Sequence, residues 1–102
     1  MKRKTEVRLL PIAEEDLINI IDFIAEDKPS AAEKMADQFE KSLKLLEIYP
    51  QSGRIARQKE LARLGYRYFV VGNYLIFYVI RPQFVLVHRI LNGARDYLKL
   101  LS

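Results

Sequence analysis

Residues 65–97 read GYRYFVVGNYLIFYVIRPQFVLVHRILNGARDY, and this stretch decides the fold. Three runs, 66–71, 74–80 and 84–91, are dense in the aromatic and β-branched side chains that suit a pleated surface. Short polar breaks at Gly72-Asn73 and Arg81-Pro82-Gln83 separate them. Consecutive strands joined by such short turns run antiparallel. A polar, basic tail from Leu91 through Asn92, Gly93, Ala94, Arg95 and Asp96 to Tyr97 ends the stretch.

Toward the N-terminus the period changes. Residues 6–10 read as a short first strand, which Pro11 stops near the start of a helix. Leu17, Ile20, Ile21 and Ile24 then recur at helical spacing within 13–27, with Glu14, Asp22 and Glu26 off that stripe. Asp27-Lys28-Pro29 breaks the helix. Ser30-Ala-Ala-Glu33 has the form of a capping box and begins a second helix, with Ala32, Met35 or Ala36, Phe39, Leu43 and Leu46 on its apolar face. That helix runs to Tyr49 and ends at Pro50. Residues 50–64 read as a polar, basic loop around Ser52-Gly53. The fold class is therefore α+β, in the order β-α-α-β-β-β: an antiparallel sheet with a helical hairpin packed on one face.

The run 74–80 suggests which face is which. Leu75, Phe77 and Val79 are purely apolar and are expected under the helices, each contributing about 1.5–3 kcal/mol on burial. Tyr74, Ile76 and Tyr78 alternate with them and are expected on the opposite face. With Tyr66 and Tyr68, this places four of the six tyrosines on one surface. Tyrosine offers apolar area with a polar tip, which suits a surface covered by a partner.

With 102 residues, half of them hydrophobic, the chain is expected to form one domain, 1–102. It has no cysteine, which excludes a disulfide framework and a thiolate metal site. With one histidine and no cysteine a metal enzyme is not expected, and neither is a cofactor. No Walker loop, dinucleotide-binding glycine fingerprint, nucleophile elbow or His-Glu-x-x-His is present. No apolar run approaches a membrane span, and no apolar segment follows the basic N-terminus, so a cytoplasmic protein is expected. The net charge of +4 hides a split: residues 13–47 hold ten acids and four lysines, and the rest is strongly basic. Residues 54–67 hold five basic side chains and one acid. A domain so polarised presents its cationic side to a polyanion.

Four segments in this order resemble the toxins of the ParE/RelE superfamily over nearly the whole chain. They are Pro11-x-Ala13 before an acidic helix; Leu46-x-x-Tyr49-Pro50-x-Ser52-Gly53-Arg54; Tyr74-Leu75-Ile76-Phe77-Tyr78; and Arg89-Ile90-Leu91-Asn92-Gly93-Ala94-Arg95-Asp96. The resemblance implies the toxin of a type II toxin–antitoxin, or plasmid-stabilisation, pair, with a cognate antitoxin as partner; the tyrosine face of Tyr66, Tyr68, Tyr74 and Tyr78 and the acidic helical half are the surfaces it is expected to cover, the second through a basic segment. RelE-like members cleave mRNA on the ribosome, whereas ParE-like members poison DNA gyrase. The RelE-like pattern has an arginine where this chain has Leu75. The tail is closer to the ParE-like His-Gly-Ala-Arg-Asp ending, with Asn92 in place of that histidine.

The two activities ask for different residues. RNA cleavage needs charge stabilisation at phosphate and proton carriers. Arg67, Arg89 and Arg95 are candidates for the first, with His88 or Tyr97 for the second. His88 is grouped by alternation with Phe84, Leu86 and Ile90, while Arg89 falls on the other face. Gyrase poisoning needs no catalytic residue but does need a cationic surface, and Arg54, Arg57, Lys59, Arg63, Arg95 and Lys99 are the candidates. A nucleic-acid-binding module without toxicity is a further reading, with affinity that falls steeply as salt rises. An attenuated toxin is another.

Overall fold

The computed structural model describes residues 4–93. Strand β1 (Glu6–Leu9) leads into helix α1 (Pro11–Asp27) and then helix α2 (Pro29–Ile48). A 3-10 turn (Pro50–Ser52), strand β2 (Arg54–Ile55) and helix α3 (Lys59–Arg63) follow, and then β3 (Tyr66–Val71), β4 (Tyr74–Ile80) and β5 (Phe84–Asn92). The sheet order is β1-β5-β4-β3-β2. At 17 and 20 residues, α1 and α2 are each about 26–30 Å long, so the hairpin returns the chain to the end of the sheet where it began. There Thr5 N–H donates to the Glu47 carbonyl at 2.7 Å.

The three C-terminal strands form the expected antiparallel meander, but the sheet as a whole is mixed, because β1 pairs with β5 in parallel. Val7 and Leu9 share the helix-facing side with their partners Val85 and Val87. Matching apolar parity fixes that register, since a slip of one residue would turn Val7 and Leu9 outward. The capping box at Ser30 is not formed. Pro29, with its preset φ, takes the first helical position, and Lys28 caps without a side-chain bond. The expected loop 50–64 contains β2 and α3, elements too short to show a period.

The faces are the reverse of the expected ones. Tyr74, Ile76, Tyr78 and Ile80 pack beneath the helices, with Phe39 and Leu46 of α2 and Ala13 of α1. Leu75 and Phe77 lie on the second face with Tyr66, Tyr68 and Leu91, beneath Ala56 and Leu61. The cause is that both faces are covered and Tyr78 has partners for its hydroxyl. Its side chain has no exposed surface, donates to the Pro50 carbonyl at 2.6 Å and accepts the Gly53 N–H at 3.0 Å. Burial raises its pKa, against smaller opposing effects from the Gly53 N–H and from Arg67, so the phenol keeps the proton it donates. Tyr74 rests its ring on Phe39, with centroids 5.9 Å apart.

A bulge at Phe77/Tyr78 shifts the β4–β5 register: Tyr78 pairs with Val87 and Phe77 with Arg89, leaving His88 as the extra residue. Beyond it Ile90 joins the helix-side core, so it does not share a face with His88 as strict alternation would require.

Gly53 is required by contact. A Cβ there would overlap the Tyr78 hydroxyl and stand 2.9 Å from the Tyr68 carbonyl oxygen. Gly53→Ala is expected to lower the unfolding free energy by about 1–3 kcal/mol in a denaturant titration, because neither neighbour can move away. Tyr78→Phe is expected to cost a similar amount by leaving the Gly53 N–H and the Pro50 carbonyl short of a partner. A stability equal to wild type in both variants would show that this junction does not hold the loop.

Candidate functional site

The candidate residues fall into three groups by their surroundings. Arg67, on β3, points its guanidinium at the chain reversal beyond α2. Its Nη1 donates to the Gly53 carbonyl at 3.0 Å and reaches the Gln51 carbonyl at 3.4 Å. Arg89, on β5, makes a two-pronged pair with Asp16 of α1: Nε to Oδ2 at 2.7 Å and Nη2 to Oδ1 at 3.0 Å. Asp16 Oδ2 also accepts the Ile90 N–H at 3.0 Å, which fixes the backbone just past the bulge. Both arginines thus hold separate parts of the fold together, and the structure does not bring them into one site.

His88 is part of the second face. Its Nδ1 lies 3.4 Å from the Tyr66 hydroxyl, and the two rings meet edge-on at 5.0 Å. Tyr66 in turn stacks flat on Phe77 at 4.8 Å. Nε2 of His88 is buried and has no hydrogen-bond partner among the described residues. Burial lowers the His88 pKa, and the charge of Arg81 lowers it further. As expected, His88 and Arg89 diverge: one meets Tyr66, the other reaches α1.

The third group is the cationic edge. Arg54, Arg57, Lys59 and Arg63 are all exposed on β2, α3 and the turn between them. Among the described residues none of the four has a carboxylate within ion-pairing distance. β2 pairs with β3 through Arg54↔Tyr68 and Ile55↔Arg67, and the Ala56 N–H donates to the Tyr66 carbonyl at 3.0 Å. The edge is therefore built onto the sheet, with Arg67 and Tyr78 anchoring its approach. Arg95, Tyr97 and Lys99 lie outside the described residues.

The four tyrosines do not share a surface. Tyr66 and Tyr68 are on the second face, where Tyr68 is almost wholly covered, while Tyr74 and Tyr78 are beneath the helices. Tyr78 has no surface left for a partner to touch. Asp16 escaped the sequence reading, although its position beside Leu17 at the margin of the apolar stripe was a signal. Two clefts, of about 660 and 550 Å³, are lined by residues around Tyr49-Pro50 and around Phe23, and neither is lined by Arg67, His88 or Arg89. Among the described residues no cluster of side chains suited to a metal ion occurs, and no helix is long and apolar enough to cross a membrane.

Residues 7–97 match the family model described as ParE toxin of type II toxin–antitoxin system, parDE. No curated protein matches the chain. A solved structure titled "Chromosomal ParDE TA system from P. aeruginosa" is similar in fold, with a TM-score of 0.72 at 18% identity, over 88% of this chain and 97% of the other.

Two tests follow from this geometry. Asp16→Ala is expected to destabilise by about 2–3 kcal/mol, since it strips both Arg89 and the Ile90 N–H of their acceptor. An unchanged chemical-denaturation midpoint would refute the positioning role. For His88 the folded pKa is lowered, so its contribution is complete above pH 6.5, the ordinary value, and is lost as pH falls toward the folded value. The melting temperature should therefore drop with acidification through that window, and less steeply in His88→Phe. Parallel pH profiles would show that His88 does not resist protonation.

Proposed function

The chain belongs to the ParE toxin family of type II toxin–antitoxin systems, and we propose that it acts by poisoning DNA gyrase through its cationic edge rather than by cutting RNA. Its partner in the cell is an antitoxin. The observation that carries the reading is the state of the two central arginines. Arg67 is spent on the Gly53 and Gln51 carbonyls and Arg89 on Asp16. Moving either to a phosphate would leave a partly buried carbonyl or carboxylate without its donor, at a cost of about 1–3 kcal/mol. The arginine of the RelE-like hairpin is absent here, with Leu75 in its place. Of the His88 nitrogens, Nε2 is buried and Nδ1 faces the Tyr66 hydroxyl.

By contrast, Arg54, Arg57, Lys59 and Arg63 are exposed on an anchored edge. Trapping an enzyme on cleaved DNA asks for a cationic surface of fixed shape and for no proton transfer. For the antitoxin, Tyr66 is the tyrosine of the second face that keeps accessible surface, and exposed Val70 lies on the same side of β3.

The test is a supercoiling assay with purified gyrase and plasmid, run beside a ribosome-dependent mRNA cleavage assay. Loss of supercoiling with accumulation of cleaved DNA, and intact mRNA, is the expected pair of results. The double variant Arg57→Ala/Arg63→Ala should weaken gyrase inhibition by about tenfold or more, roughly 1.4 kcal/mol. Its stability should stay within about 0.5 kcal/mol of wild type, as for other exposed sites. Cleaved mRNA with untouched gyrase would reject the proposal in favour of the RelE-like activity.

A further inference from the structure

Helix α1 is unusual for a surface helix. It carries six acids and no lysine or arginine, and its outer side leaves Ile12, Ile18 and Phe23 exposed at 45%, 59% and 71%. Helical spacing surrounds Ile18 with Glu14, Glu15 and Asp22, and sets Phe23 beside Glu26 and Asp27. Ile18 lies on one flank of the outer side and Ile12 and Phe23 on the other, with Glu15, Asp22 and Glu26 between them, and Lys28 shares the cleft at Phe23. The cationic edge is the counterpart of this outer side: Ile55 and Leu64 are exposed at 58% and 63% among Arg54, Arg57, Lys59 and Arg63.

The topology keeps the two surfaces apart within one molecule. α1 packs over β5 and β1, at one side of the sheet, whereas β2 is the opposite edge strand and α3 packs on β3 beside it. They cannot satisfy each other in one chain, but they can between chains. Large exposed apolar side chains set among charges mainly of one sign mark a surface that a partner of the opposite sign covers. From this complementarity we propose that a second copy of this chain docks its β2–α3 edge on the outer side of α1, head to tail. The contact joins two different surfaces, so each added copy leaves one of each kind free, and assembly grows with concentration unless it closes into a ring. It also covers the edge assigned above to the target, so the assembled protein is the inactive store and the monomer the active species. That last consequence rests on the proposed function, but the docking itself does not.

The test is sedimentation velocity on the full chain without antitoxin. In about 50 mM salt the mean mass should rise above 12.0 kDa with protein concentration, and in about 500 mM salt it should return to the monomer as screening shortens the reach of the charges. Asp22→Lys/Glu26→Lys and Arg57→Glu/Arg63→Glu should each be monomeric alone at low salt, with wild-type circular dichroism. Their equimolar mixture should associate again, because each reversed surface then meets its complement. Wild type that is monomeric throughout, either variant still associating, or a mixture that stays monomeric would overturn the proposal. If wild type is monomeric and Asp22→Lys/Glu26→Lys instead weakens capture by the antitoxin, the helix surface belongs to the antitoxin and the contact between copies is rejected. Failure of gyrase inhibition with association intact would count against the proposed target alone.

Discussion

A tyrosine hydroxyl with no access to solvent sets the course of the chain between the helices and the sheet. Leaving such a hydroxyl unpaired costs about 1–3 kcal/mol, so Tyr78 is tolerated in the core only where both of its hydrogen-bonding roles are filled. The Pro50 carbonyl and the Gly53 N–H fill them. The requirement runs in both directions. The chain leaving α2 must turn at Pro50 and pass over the end of β4, and residue 53 must lack a Cβ because the phenol occupies that space. Arg67 adds a second tether from the neighbouring strand. With these three points fixed, Arg54 and Ile55 fall beside Tyr68 and Arg67, and a fifth strand forms at the edge of the sheet.

The same reasoning explains what could be read from the sequence. The two long helices and the meander β3-β4-β5 were legible because their periods run long enough to be unambiguous. β2 has two residues and α3 five, too few for a period of 2.0 or 3.6 to register. The face assignment failed at Tyr78 because the rule that puts tyrosine outward assumes its hydroxyl has no partner within. That partner is 25–28 residues away along the chain and invisible to local pattern. The parallel pairing of β1 depends on where the hairpin returns, again a property of the whole fold. At the candidate site, the density of cations in 54–63 was plain. The internal use of Arg67 and Arg89 was not, since Asp16 and Arg89 are 73 residues apart.

Asp16 does more than neutralise Arg89. By also accepting the Ile90 N–H, it holds β5 at the point where the bulge breaks the ladder. The extra residue is His88, and the bulge restores Ile90 to the helix-side core while Arg89 reaches α1. At this irregular position His88 joins an aromatic cluster and Arg89 enters an ion pair. Partly buried pairs of this kind add little net stability but are expensive to break. Arginines held in this way are poor candidates for a role that requires them to move.

Edge strands carry a cost of their own, because unpaired N–H and C=O groups invite another strand to add on. Both edges of this sheet are guarded by charge. On β1, Arg8 pairs with Glu6 at 2.9 Å and covers the Phe84 ring at 4.4 Å, so its charge is largely satisfied within the molecule. On β2 the guard is the short strand itself with Arg54, Arg57 and the cations of α3, which have no such acidic partner among the described residues. The two edges thus solve the same folding problem with opposite consequences for recognition. The β1 edge is electrostatically closed, while the β2 edge keeps its cations available. Because the β2 edge is tied to Tyr78 and Arg67, little ordering would remain to be done if a polyanionic partner bound there, and preorganisation of that kind raises affinity without any added contact.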